Sequence, residues 1–146
     1  MREVIYAEKI CKYVIVSCNK KINCISFTDS EPKNDPTRSK IATDLKKYFE
    51  GEVVDFSGYD INLGGFSDFE RKVFNEVRNI PYGHTVTYGK IAKLIRNERA
   101  YRAVGGALRK NPVPIIIPCH RVVGKHSIGG YTPGKDIKQK LLNLER

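Results

Sequence analysis

Thirteen consecutive residues constrain this chain more than any other stretch: Asn111-Pro112-Val113-Pro114-Ile115-Ile116-Ile117-Pro118-Cys119-His120-Arg121-Val122-Val123. The apolar run 113–117 falls far short of the roughly 20 residues a membrane-spanning helix needs. Prolines at 112, 114 and 118 lack ladder donors and fix φ near about −65°, which disfavours a helix here. The expectation is a stiff, extended, buried arm that carries Cys119 and His120, followed by Arg121, to one fixed place. A thiol beside an imidazole and a guanidinium is where a depressed pKa and a nucleophilic thiolate are expected. The competing reading is an inert, buried Cys119, since free cysteines usually behave as small hydrophobes. So rigid a mount for an inert thiol weighs against it.

The rest of the chain sets the frame for that arm. At 146 residues, 40% hydrophobic and 29% charged, it suits one domain or two small lobes sharing an interface. Its charge divides unevenly. Residues 1–62 carry 10 Lys+Arg against 10 Asp+Glu, whereas residues 63–146 carry 16 against 6, so the net +10 belongs entirely to the second part. A neutral lobe, 1–62, joined to a basic lobe, 63–146, points to a polyanion surface on the second alone; a generally basic solvated surface is the bland alternative. No apolar run reaches about 18 residues, and the N-terminus lacks a signal-peptide core, so the expectation is a cytoplasmic protein without a membrane partner. Cys11, Cys18, Cys24 and Cys119 form no C-x-x-C pair and no histidine accompanies the first three, so no metal site is expected. Reduced thiols are the default, with a Cys18–Cys24 bridge across a hairpin as a minor alternative.

In the first lobe, residues 4–7, 13–16 and 22–27 read as three meandering antiparallel strands, the third by alternation of Ile22, Cys24 and Ser26 against Asn23, Ile25 and Phe27. A helix over about 37–50, with Ile41, Leu45, Tyr48 and Phe49 inward and Gly51 as terminator, covers one face. Residues 29–36 read as a loop and 52–65 as an irregular connector. No catalytic constellation is visible in this lobe, and it reads as a scaffold. In the second lobe Ser67 and Glu70 have capping-box spacing ahead of a stripe of Phe69, Val73, Phe74 and Val77. Thr87 caps a short helix through 96 with Ile91, Leu94 and Ile95 inward, and a second helix runs over about 98–110, giving a helix-turn-helix arrangement. That second helix combines small residues, Ala103, Gly105, Gly106 and Ala107, with cationic Arg99, Arg102, Arg109 and Lys110. Each helical glycine costs about 1 kcal/mol relative to alanine, a cost accepted where another backbone approaches: either a neighbouring helix or a DNA groove.

Pro118-Cys119-His120-Arg121-Val122 resembles the active-site signature of the methylated-DNA–protein-cysteine methyltransferases, the O6-alkylguanine-DNA alkyltransferases. The likeness continues through Arg102-Ala103-Val104-Gly105-Gly106-Ala107, Asn111-Pro112, Gly83, Thr87-Tyr88-Gly89 and Gly129-Gly130-Tyr131, in the order the family shows, over roughly 66–145. The resemblance implies an α+β fold: a small three-stranded antiparallel sheet with a helix, then a mainly helical lobe with a winged helix-turn-helix-like DNA-binding motif. It implies duplex DNA carrying alkylated guanine as partner, a monomer, no cofactor, and irreversible single transfer of the alkyl group from O6-alkylguanine, and from O4-alkylthymine, to Cys119. His120, oriented by Glu145, would activate the thiol through water; Tyr88 would donate to the flipped base; Asn111 would tie the helix to the active-site segment. Arg102 would fill the place of the extruded nucleotide in the minor groove, with Ala103, Gly105, Gly106 and Arg109 along it. Tyr131, Thr132 and Pro133 would form the loop over the pocket, and the carbonyls of Cys119 and Val122 would read the base amine. Tyr101 and Thr132-Pro133 depart from the common pattern, Tyr101 being bulky where relatives often carry a smaller residue. Three alternatives remain open: a lesion-binding protein without chemistry, a helix-turn-helix regulator and a cysteine hydrolase.

Overall fold

A computed structural model describes residues 2–33 and 39–146. β1 (Arg2–Ala7), β2 (Lys12–Asn19) and β3 (Lys21–Thr28) form an antiparallel sheet in the order β1-β2-β3. Registry pairs Ile5 with Val14 and Val16 with Ile25, which sets their side chains on one buried face. The simple alternation expected for the third strand does not hold. A register shift at Ser17/Cys18 pairs Cys18 with Ile22 and Ser17 with Cys24, so Asn23 is the extra residue and Ile22 and Ile25, three apart, are both buried. Cys18 packs against the core while Cys24 is exposed, and none of the four cysteines is in a disulfide.

The sheet is covered by α1 (Lys40–Phe49), which buries Ile41, Ala42, Leu45, Tyr48 and Phe49. Ser39 caps it by accepting from the Ala42 amide, and Ser39 is itself bonded to the Glu3 carboxylate on β1. Of the helix expected over 37–50 and the loop over 29–36, residues 34–38 lie outside the described residues. The connector is irregular, as expected, but it is used. Ile22 N–H donates to the Asp60 carbonyl and Asn62 N–H to the Ile22 carbonyl, while Ile25 N–H donates to the Pro112 carbonyl. The edge of β3 is thereby closed, and the sheet is stitched directly to the proline-rich arm.

α2 (Asp68–Val77) starts with both halves of the expected capping box, Ser67 with Glu70, and buries Val73, Phe74 and Val77. β4 (Val86–Thr87) pairs in parallel with β5 (Val122–Val123), fixing the residues just after the Cys-His segment. Thr87 caps α3 (Tyr88–Leu94), which is shorter than expected: Arg96 adopts φ 61° and ends it. Leu94, expected inward, is 46% exposed, because only Ile91 and Ala92 of this short helix face the core. α4 (Tyr101–Leu108) is likewise shorter than 98–110, a turn closed by Ala100 N–H to the Asn97 carbonyl taking its first residues. α5 (Lys135–Leu144) closes the chain, burying Ile137, Lys138 and Leu141. One continuous apolar core runs from the sheet through α1, α2, α4 and α5. No helix among the described residues is long and apolar enough to cross a membrane.

The arm itself differs from the extended segment expected. Residues 113–117 are buried but turn back on themselves: Pro114 bridges Ile117, Ile117 N–H donates to the Val113 carbonyl, and Ile115 sits at φ 79°. A β-branched residue in that region stores on the order of 1–3 kcal/mol, which the surrounding packing must outweigh.

Candidate active site

Asn111 is the clamp between α4 and the arm. Its Oδ1 accepts from Val113 N–H, and its Nδ2 donates to the Ile117 carbonyl at 2.8 Å and to Cys119 Sγ at 3.1 Å. Cys119 and His120 follow in a single 3-10 turn, Cys119–Arg121, with His120 fully buried and Cys119 7% exposed. The sulfur lies at the floor of a cleft of about 660 Å³, within the usual range of small-molecule sites. The cleft is walled by Tyr88, Arg102, Gly105, Arg109, Tyr131 and Thr132, with Tyr101 at its rim. Cys119, Tyr88, Arg102, Gly105, Arg109, Tyr131 and Thr132 are thus brought together as expected, whereas Ala103, Gly106, Val122 and Pro133 do not line the cleft.

Behind the sulfur lies a buried polar cluster. Glu145 is 4% exposed, although it is the penultimate residue, because α5 is docked. His120 Nε2 lies 2.6 Å from Glu145 Oε2; Arg121 donates from Nε to Oε1 at 2.8 Å and from Nη2 to Oε2 at 2.9 Å. Gly83 N–H adds a longer contact to Oε1 at 3.3 Å. Gly83 takes φ +79°, and a Cβ there would stand 3.1 Å from the Glu145 carbonyl, so glycine is required. Burial pushes the Glu145 carboxyl up, but the His120 and Arg121 hydrogen bonds outweigh it and hold the group well below the usual carboxylate range. Burial lowers His120, against the raising influence of Glu145, which favours the neutral imidazole.

The expectation of a depressed thiol beside a guanidinium is corrected here. Arg121 turns away from Cys119, spending its donors on Glu145 and, at 2.8 Å, on the Ile80 carbonyl. Desolvation pushes the Cys119 thiol up to about 11, and the Asn111 amide and Lys138 charge offset this only in part. Burial thus favours the protonated thiol at rest.

Lys138 was not singled out from the sequence. It is fully buried on α5, donating to the Val122 carbonyl at 2.6 Å and the Gly130 carbonyl at 3.1 Å, and its ammonium stands 5.8 Å from the Tyr88 ring centroid. Burial lowers it to about 8, with the Cys119 charge acting in the opposite sense. One lone pair of the Val122 carbonyl is therefore already engaged. The heptad spacing of Lys138 to Glu145, on one face with Leu141, was the available signal. Tyr48 was also missed. It projects from α1, fully buried, and donates its hydroxyl to Glu145 Oε2 at 2.5 Å, so the first lobe is not mere scaffold.

The loop over the cleft is set by Gly129, at φ +77°, where a Cβ would lie 2.7 Å from the Tyr88 hydroxyl oxygen. That hydroxyl reaches the Gly130 carbonyl at 3.4 Å, and burial followed by the Cys119 charge raises its pKa, keeping it a donor. Thr132 donates to the Arg109 carbonyl at 3.3 Å, joining loop to α4. Close packing against a neighbouring helix does not require either glycine of α4. A Cβ on Gly106 would meet nothing within 4 Å, and one on Gly105 would make only ordinary contact with the Tyr88 ring at 3.8 Å. Arg102 and Tyr101 are both exposed, with the guanidinium 5.9 Å from the Tyr101 ring centroid.

Comparison with known proteins agrees with this geometry. Residues 68–146 match the family described as "6-O-methylguanine DNA methyltransferase, DNA binding domain". A methylated-DNA–protein-cysteine methyltransferase of Methanosarcina acetivorans is 43% identical, over 94% of this chain and 86% of that protein. The crystal structure of Mycobacterium tuberculosis OGT in complex with DNA superposes with a TM-score of 0.86 at 32% identity, covering 99% of this chain and 91% of the other. The O6-methylguanine-DNA methyltransferase of Pyrococcus kodakaraensis gives a TM-score of 0.80 at 26% identity, covering 99% of both chains.

Proposed function

The chain belongs to the methylated-DNA–protein-cysteine methyltransferases, enzymes that bind DNA and repair it by alkyl transfer, and we propose that Cys119 is the acceptor in an irreversible, single-turnover reaction on O6-alkylguanine. The same in-line displacement would serve O4-alkylthymine. The observation that carries this reading is the placement of Cys119 Sγ at the cleft floor, backed by the His120–Glu145 pair and faced by Tyr88 and Arg102.

The thiol proton leaves toward His120 Nδ1 through solvent; this buried nitrogen has no protein partner among the described residues. Glu145, held ionised, stabilises the imidazolium that forms. The thiolate, helped by the Lys138 charge, attacks the alkyl carbon; the S–C bond forms as the C–O6 bond breaks, and its electron pair stays on guanine. Tyr88 hands its hydroxyl proton to the departing base and regains one from solvent, as the imidazolium releases the thiol proton to solvent. The thioether has no second cysteine beside it, since Cys11, Cys18 and Cys24 all lie in the sheet region.

Reaching such a base requires its extrusion from the duplex, at a few kcal/mol. Arg102, exposed in the first turn of α4 at the rim of the cleft, would occupy the gap, with Ala103, Gly105 and Gly106 against the minor groove. The Cys119 and Val122 carbonyls and the Tyr131-Thr132-Pro133 loop would hold the base. The division at residues 62 and 63 follows the step in charge, and the reading includes a cytoplasmic monomer.

Intact mass after incubation with a duplex carrying O6-methylguanine, followed by peptide mapping, tests the reading. One added methyl on the Cys119 peptide, and one lesion repaired per protein, are expected. Multiple turnovers, or binding without mass change, would overturn it. Cys119→Ser should bind the duplex and accept nothing.

A further inference from the structure

Tyr48 is the point at which the sheet-and-helix region enters the polar cluster. Its ring packs edge-on against Phe49, Phe56, Tyr82 and His120. Phenylalanine would fill that space, so the hydroxyl needs a separate account. Tyr48 Oη lies 2.5 Å from Glu145 Oε2 and 3.3 Å from His120 Nε2. A phenol has one proton, and the charged, closer oxygen takes it. Glu145 Oε2 therefore accepts from Tyr48, His120 and Arg121, while Oε1 accepts from Arg121 and Gly83. With the carboxylate ionised, a 2.6 Å approach requires the proton on His120 Nε2, which leaves Nδ1 as the basic nitrogen.

We propose that Tyr48 is a positioning residue of the alkyl-transfer site, its hydroxyl locking the Glu145 carboxylate and damping the charge that His120 feels. The proposal rests on the alkyl-transfer reading for its function, though its physics does not. The groups facing His120 are Lys138 from α5 and Glu145 just past its end, Arg121 and Cys119 beside it, and Tyr48 from α1; Tyr82 and Tyr131 also feel the Glu145 charge. Of these, Tyr48 and Arg121 donate to the very oxygen that accepts from the imidazole, and Tyr48 is the uncharged donor of the two, at the shorter distance. Without that donor the carboxylate becomes a stronger partner for the imidazolium, and the His120 pKa rises. A general base that is neutral over a narrower pH range works less well on the acid side.

The test uses the full chain and two readouts. In Tyr48→Phe, the midpoint of the His120 titration followed by nitrogen-15 NMR should rise by about 0.5–1 in pH, the scale of one ordinary hydrogen bond, since the lost donor acts on the imidazole only through the carboxylate. The acid limb of the single-turnover methyl-transfer rate should move with it, leaving the alkaline rate unchanged. Site-specific 3-fluorotyrosine at 48, a stronger donor of nearly the same shape, should move the titration in the opposite direction and serves if Tyr48→Phe folds poorly. Tyr59→Phe removes a phenol bonded to Asp44 at 2.5 Å, away from the cleft, and should leave the His120 titration where it was. If neither Tyr48 variant moves that titration, Tyr48 is a packing residue and the proposal falls. If wild-type protein takes no methyl from the duplex, the alkyl-transfer reading falls instead, while the histidine titration still decides the role of Tyr48.

Discussion

The sheet-and-helix region and the helical region contribute to one apolar core, but they differ in what else they bury. Among the described residues up to 62, the buried charged side chain is Glu3, tied to Ser39 at the start of α1. The helical region buries His120, Arg121, Lys138 and Glu145 around a single thiol. Burying charge is costly and rarely the best route to stability. The first region is thus organised for folding and the second for holding a disfavoured set of charges in place. The Ile25-to-Pro112 hydrogen bond and the Tyr48 hydroxyl connect the two.

The largest effect expected from this contrast is Glu145→Leu, which strands Arg121 and His120 without their partner. Denaturant unfolding should show a loss of about 3–5 kcal/mol, and methyl transfer should cease. The carboxyl is depressed in the fold, so its stabilisation is present above the unfolded value of about 4.3 and is lost as pH falls through the lower folded value. The gap between wild type and Glu145→Gln should therefore close in acid; a gap independent of pH would count against the ion pair. Ile5→Ala, in the sheet core, should cost about 2–5 kcal/mol while leaving the transfer rate per folded molecule unchanged. An equal loss of rate would erase the distinction between the regions.

Lys138→Met should raise the thiol pKa further. Transfer near pH 7 should slow about tenfold for each pH unit by which the thiol rises, since the thiolate fraction falls by that factor. Raising the pH should restore part of the rate; a pH-independent loss would mean that Lys138 only shapes the loop at Gly130. Gly106→Ala should stabilise the free protein by up to about 1 kcal/mol, because its Cβ meets open space, yet weaken duplex binding. Thermal unfolding and a binding titration check the two signs, and unaltered affinity would remove α4 from the groove. Duplex affinity itself should fall as salt rises, as phosphate contacts by a basic surface require. Smallest of all, Asp29→Asn breaks the exposed Lys12–Asp29 pair and should cost about 0–1 kcal/mol.

Much of this molecule was legible in advance where the signal is local. The three strands, the capping box at Ser67 and the helix after Thr87 follow from short patterns, while the grouping of Tyr88 and Arg102 with Cys119 was implied by the family resemblance. Helix lengths were less legible, because Arg96 and the turn at 97–100 end α3 and delay α4 without a glycine or proline to announce it. The turn at Ile115 was hidden by its composition, since an apolar, proline-bracketed run reads as extended.

What the sequence determined alone is the family signature, the uneven charge and the identity of the nucleophile candidate, all properties of residue type and spacing. The tertiary structure decided which charges meet. Arg121 neighbours Cys119 in sequence yet serves Glu145, while the cation that the thiol feels comes from Lys138. Tyr48 reads as one more inward position of a helix until α5 brings Glu145 to its hydroxyl, 97 residues along the chain. Electrostatic partners are set by distance and desolvation in space, and a one-dimensional pattern carries neither.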